Sequence, residues 1–343
     1  MSATSANTRQ PDTGAIAQFL VKPCAALDVR ISHLQLLSGG AIQQNWQIDV
    51  NITGGPHAGS HVWVLRTDAP ATVAASLPRG HEHAILEFAH AHGLRAPRPL
   101  FLCHDAAILG KPFFIMEKLP GVAAGHRVVR LPLDRAALAR ELAQTAARIH
   151  AIAPPQAQAA LPFLKTYHAH DVITACRAWL DTLDESHPVL EWGLRWCERR
   201  APADEETTFV HRDFRTGNYL VHEGKLAGLL DWEFAAIGNP LEDIGWICAK
   251  CWCFRHEHHI VGGVADLDDF IPAYEAASGR KVPPEALRYW QVMAHIRWAI
   301  IALQQAQRHL SGVEPSLELA LTAKIVAELE WEILQLTDHT VSS

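Results

Sequence analysis

A chain of 343 residues, 49% hydrophobic and 20% charged, has an ordinary globular composition and the length for two lobes around a large core. Its formal net charge of −7, with no long Lys/Arg run, argues against nucleic acid or an anionic membrane as the main partner. No apolar stretch approaches the roughly 18 residues of a spanning helix, and an odd count of seven cysteines does not suggest a secreted disulfide framework.

Residues 1–27 read as a tail and leading helix. The opening "MSATSANTRQPDTG" lacks a basic segment followed by an apolar one, so no signal peptide is predicted and the cytoplasm is the expected location. The glycosylation-like Asn51-Ile52-Thr53 carries little weight without a secretory signal. Three β-rich runs follow, "VRISHLQLL", "NWQIDVNI" and "HVWVLRTD", the last two joined by the turn-like "TGGPHAGS". "PRGHEHAILEFAHAHGL" has helical spacing and a Gly stop. "PLFLCHD" and "KPFFIMEKL" predict two more strands, so residues 28–117 read as a small antiparallel sheet with one inserted helix.

"LPGVAAG" follows as a connector, and from residue 134 onward the character changes. "LDRAALARELAQTAARIHAI" predicts a long amphipathic helix capped by Asp134, with further helices at "VITACRAWLDTL" and "LEWGLRWCERR". A strand-turn-strand region at 208–231 interrupts them, and helices resume to the end. The expected class is α+β, a β-rich lobe followed by a larger, mainly helical one at 118–343.

The chemistry concentrates in "HRDFRTGNYLV" and "LLDWEF". Asp213 follows the apolar "TFV", Asn218 closes a turn before "YLV", and Asp231 ends "KLAGLL". Two hairpin-linked strands are expected to bring all three to one end of a ladder. Taken singly, each is explained by turn chemistry. Two carboxylates and an amide oxygen held together repel unless a cation lies between them, and Mg²⁺ takes such oxygen ligands and completes its shell with phosphates.

"HRDFRTGN" followed 18 residues on by "LLDWEFAAIGNPLEDIGWI" resembles the aminoglycoside phosphotransferase and choline kinase-like family, in the branch sometimes fused to acyl-CoA dehydrogenases. The resemblance covers about residues 30 to 310, through "LLSGGAIQQNW", "HEHAILEFAH", "LCHDAAILGKPFFIMEKLPG" and "YEAASGR". It implies a two-lobed protein-kinase-like fold and an ATP- and Mg²⁺-dependent phosphotransferase, with GTP left open, acting on a small-molecule hydroxyl. Neither a nucleic-acid nor a membrane partner is expected, and the chain is expected to be a monomer or homodimer. By the same resemblance Asp213 handles the acceptor hydroxyl, Arg215 neutralises the transferred phosphoryl group, and Asn218 and Asp231 hold magnesium. His211 and Asp243 brace the loop. Ser38, Gly39 and Gly40 turn over the phosphates, and the backbone from Glu117 to Leu119 meets the base. Arg66 stands where the family has a strand lysine and keeps the charge in a planar fork. Glu82 is its matching partner, with Glu87 as a second candidate.

No GxGxxG is present, and only four residues separate "DWE" from "GNP". That leaves no room for a peptide-docking activation segment, and a small acceptor is expected. Aminoglycosides and acyl-CoA-type or other hydroxy metabolites are the candidates, and a catalytically silent nucleotide binder is the rival reading. "CAKCWCFRHEHH" (Cys248, Cys251, Cys253, His256, His258, His259) has zinc-like spacing. It also continues what reads as an apolar helix with Trp246 and Trp252, which favours buried thiols.

Overall fold

Along Gln43–Thr53 the residues Trp46, Ile48, Val50 and Ile52 are buried in alternation, the pattern of a strand with one face on a core. This strand, β2, lies in an antiparallel sheet with β1 (Asp28–Leu36), β3 (Gly59–Asp68), β4 (Pro99–Cys103) and β5 (Phe113–Glu117), in the order β1-β2-β3-β5-β4. The computed structural model describes residues 10–37, 43–68, 77–202, 206–312 and 315–338, and the chain divides into Met1–Leu119 and Pro120–Ser343. In the first unit, Trp63, Leu65, Phe113 and Ile115 join the buried face of β2 and pack with Ile16 and Leu20 of α1 (Thr13–Val21). Arg66 points to the opposite face and pairs with Glu82 of α2 (Arg79–Ala91), so the sheet has a helix on each side. The β2–β3 turn needs glycine: Gly55 has φ 75°, and a Cβ there would lie 2.3 Å from the carbonyl oxygen of Cys24.

The first long helix of the second unit is α3 (Arg135–His150), capped by Asp134 Oδ1, which accepts from the backbone nitrogen of Ala137 (2.9 Å). Then come α4 (Ala169–Leu180), α5 (Pro188–Glu198), β6 (Thr208–Val210), β7 (Tyr219–His222), β8 (Lys225–Leu229) and β9 (Ala236–Gly238). The unit continues with α6 (Pro240–Ile247), α7 (Leu267–Ser278), α8 (Pro284–Leu310) and α9 (Val326–Thr337). Ile173, Leu190, Leu194, Met293, Ile296 and Ile333 anchor a core shared by α4, α5, α8 and α9.

Two expectations change here. β6 pairs with β9, while β7 and β8 form their own hairpin, so Asp213 does not share a ladder with Asn218 and Asp231. The extended run ends because Arg212 is left-handed (φ 65°) and the amides of His211 and Arg212 bond to Asp243 instead. The helix expected to run through the cysteine cluster stops at Ile247, followed by a 3₁₀ turn at Lys250–Trp252.

Candidate active site

Asp243, on α6, is fully buried. Its carboxylate accepts from the backbone nitrogens of His211 (2.8 Å) and Arg212 (2.7 Å) and from His150 Nε2 (3.1 Å). With that proton donated, His150 Nδ1 accepts from the Tyr274 hydroxyl (2.8 Å). Burial pushes the Asp243 carboxyl up, but the hydrogen bond from His150, the backbone N–H of His211 and the electrostatics of the two imidazoles outweigh it and hold the group below the usual range. His211 Nε2 donates to the carbonyl of Leu230 (2.9 Å) and Nδ1 accepts from the backbone nitrogen of Asp213 (3.2 Å). Burial lowers its pKa, so the ring is a neutral spacer with both nitrogens engaged.

The loop above this brace carries Asp213, 9% exposed. Its Oδ1 accepts from Arg215 Nε (2.9 Å) and Trp246 Nε1 (2.8 Å). Asn218 Nδ2 donates to Asp213 Oδ2 and to the Asp213 carbonyl (3.0 Å). Both bonds leave from the amide nitrogen, so the side-chain oxygen of Asn218 is the atom left for a ligand. The Asn218 carbonyl accepts from the backbone nitrogen of Leu230 (2.7 Å). Leu230 is thereby tied to both His211 and Asn218, and it immediately precedes Asp231. Asp231 sits in the left-handed region (φ 59°, ψ 57°), where a short polar side chain is tolerated. Backbone bonding thus joins what the strands do not.

Arg215 lies with its guanidinium 4.3 Å from the Trp252 ring centroid, and Arg297 lies 4.6 Å from that of Trp246. Glu242 holds Arg212 Nε at 3.0 Å and also binds Arg297. The contact of Trp246 with Asp213 was not anticipated from the sequence. Its available signal was the spacing Glu242, Asp243, Trp246, which places all three on one helical face.

In the first unit, Arg66 grips Glu82 with Nε on Oε2 (3.0 Å) and a second nitrogen on Oε1 (2.8 Å). Its remaining terminal nitrogen donates to Asn45 Oδ1 (3.2 Å). Arg79 also binds Glu82 and pairs with Asp68 (2.8 Å). Glu87 is mostly exposed and lies 3.5 Å from His83, not at Arg66. The Glu117 side chain is half exposed, 3.8 Å from Arg98, and its backbone nitrogen donates to the carbonyl of Arg98 (2.9 Å). Leu119 ends the unit. Ser38, Gly39 and Gly40 lie outside the described residues.

Residues 33–290 match the phosphotransferase enzyme family known as APH. The chain belongs to that family. Among curated relatives of this phosphotransferase-family chain, acyl-CoA dehydrogenase family member 10 of Mus musculus is 27% identical over 294 residues, covering 78% of the chain. Family member 11 of Rattus norvegicus is 27% identical over 310 residues, covering 83%. The chain spans only 27% and 38% of the lengths of those two relatives. A Ralstonia eutropha structure whose assignment as an aminoglycoside phosphotransferase is itself an inference superposes with a TM-score of 0.73 at 19% identity, covering 95% of this chain and 98% of that one. An aminoglycoside phosphotransferase in ternary complex with AMP-PNP and hygromycin B gives 0.60 at 15% identity, covering 96% and 99%. The fold is the α+β, two-lobed kinase-like one.

The oxygen donors offered by Asn218 and Asp231 fit a hard divalent cation such as Mg²⁺. The cysteine segment has a different character. Cys248 and Cys253 are fully buried, burial pushing the Cys253 thiol up to about 12, and His259 is taken by Asp266 (2.8 Å). Among the described residues no three His, Cys, Asp or Glu side chains gather to hold a metal ion. No described helix of this family member is long and apolar enough to cross a membrane.

Proposed function

We propose that the protein transfers the γ-phosphoryl group of ATP to a hydroxyl of a small molecule. The observation that carries this reading is the set of three donors on Asp213, from Arg215, Trp246 and Asn218. An ionised carboxylate has about four acceptor sites, so one remains for the acceptor O–H. Asp213 orients that hydroxyl and takes its proton as the oxygen attacks phosphorus, the bond to the leaving ADP oxygen breaks, and a phosphate ester forms. Arg215 spends Nε on Asp213 and one terminal nitrogen on the Thr216 carbonyl, leaving the other for the phosphoryl oxygens. Arg66, positioned by Glu82, supplies positive charge to the nucleotide phosphates. Asn218 and Asp231 would hold Mg²⁺, which neutralises phosphate charge when bound.

The experiment is ADP release across a panel of hydroxylated metabolites and antibiotics, followed by Asp213→Asn on the acceptor found. The substitution keeps the shape and the acceptor for Arg215 and Trp246, exchanges the acceptor facing Asn218 for an amide, and removes the base. Turnover should fall about 10²- to 10⁴-fold with nucleotide affinity nearly unchanged. An Asn variant as fast as the parent removes Asp213 from the chemistry. ATP binding without turnover on any acceptor identifies a silent binder instead.

A further inference from the structure

A cavity of about 660 Å³ opens in the C-terminal unit, and none of residues 211–218 lines it. This is the size of a site for a drug-sized molecule. Trp196 of α5 and Tyr289 and Trp290 of α8 form aromatic walls, with Pro240, Leu241 and Leu336 adding apolar surface. Trp196 and Tyr289 are stacked (centroids 6.3 Å, 26°). Three nitrogen donors on this lining have no acceptor among the described residues. Asn239, 7% exposed, uses its side-chain oxygen to accept from the Leu241 backbone nitrogen (2.9 Å), while its amide nitrogen donates to nothing. The buried Trp196 Nε1 is likewise unpartnered. Arg288 is half-buried and takes part in no ion pair or hydrogen bond among the described residues.

The other cations here are occupied. Arg280 is on Glu206 (2.6 Å), Lys281 on Glu275 (2.7 Å), and Arg200 lies over the Trp196 ring (4.6 Å). The lining acid Glu285, in the first turn of α8, is exposed to water. A guanidinium and an amide nitrogen on one lining, neither held by an acceptor, offer an anion charge-assisted hydrogen bonds. The aromatic walls favour a flat apolar body.

We propose that this cavity binds a small aromatic carboxylate, its carboxylate on Arg288 and the Asn239 amide and its ring against the Trp196–Tyr289 wall. The site communicates with the catalytic loop through α6. Asn239 is the N-cap of α6, and Asp243 and Trp246 on the same helix hold His211, Arg212 and Asp213. An effect on turnover rests on the proposed phosphoryl transfer; the binding itself does not.

Calorimetry of 1-naphthoate against the full chain tests it, with 1-naphthalenemethanol as the neutral ring of the same shape. Naphthoate should bind at least tenfold more tightly than the alcohol. Arg288→Gln should weaken it about tenfold or more, the loss of a charge-assisted hydrogen bond, Arg288→Lys should lie between, and ATP affinity should stay unchanged. Absence of naphthoate binding, equal affinity for the alcohol, no effect of Arg288→Gln, or displacement of naphthoate by ATP would each overturn the proposal. Should Arg288→Gln fail to fold, the acid-to-alcohol comparison on the parent still decides.

Discussion

Glu82 is 1% exposed and neutralises parts of two buried guanidinia, Arg66 and Arg79. Removing one member of such a cluster leaves uncompensated charge, at a cost of roughly 3–5 kcal/mol. Glu82→Gln should therefore lower the unfolding free energy of the first unit, measured by urea titration, by an amount in that range. Glu87→Gln, at an exposed position, should stay within about 0.5 kcal/mol of the parent. A second residue-scale expectation concerns Asp231. Its left-handed backbone makes Asn a better replacement than Ala, because Asn tolerates that region while losing the charge. In calorimetry the parent should bind ATP more tightly with Mg²⁺ than without, and Asp231→Asn should lose most of that difference. Equal affinity in the parent under both conditions would contradict the proposed metal role.

At the scale of elements, α6 is the part on which the catalytic loop depends. Glu242 holds Arg212, Asp243 holds two loop amides, and Trp246 holds Asp213. Its position is fixed from behind by Gly245, where a Cβ would sit 2.3 Å from the Cβ of Trp290 and 2.6 Å from its carbonyl carbon. Gly245→Ala must push α6 from α8, and overpacking of this kind costs roughly 1–3 kcal/mol, to be read as a lowered melting temperature. Trp246→Phe keeps the packing but removes the indole donor to Asp213. Turnover should fall about tenfold, in line with one charge-assisted hydrogen bond, with nucleotide affinity unchanged. A variant at parental turnover would reduce Trp246 to a packing residue.

Two buried histidines of the second unit contribute to the pH dependence of stability. His295 is 1% exposed, and burial pulls its pKa down to about 4; burial also lowers that of His211. In the unfolded chain both titrate at about 6.5. Below that pH the unfolded state binds protons that the folded state refuses, so stability falls as pH falls. For His295 alone the loss between pH 7 and pH 5 is about 2 kcal/mol. Urea unfolding at the two pH values should show it, and His295→Gln should flatten the dependence by about that amount. The depressed Asp243 carboxyl acts lower still: its stabilisation is present above the ordinary carboxylate pKa and is lost as pH falls through the folded value.

What the sequence alone determined was the set of elements and the identity of the chemistry-bearing residues. Period-2 alternation in Gln43–Thr53 and helical spacing after Asp134 are local properties, and both elements formed within a few residues of their expected bounds. The pairing of Arg66 with Glu82 in preference to Glu87 was legible only through resemblance, because the two glutamates lie on one helix and only burial separates them. The partner of β6 was not legible. Three residues of apolar "TFV" pair equally well with any nearby edge, and it is the non-local ladder with Ala236–Gly238 that chose. The same holds for Trp246 against Asp213 and for the donors around Asn239. Those contacts join segments distant in sequence, so only the tertiary packing of α6 against the loop and α8 could decide them.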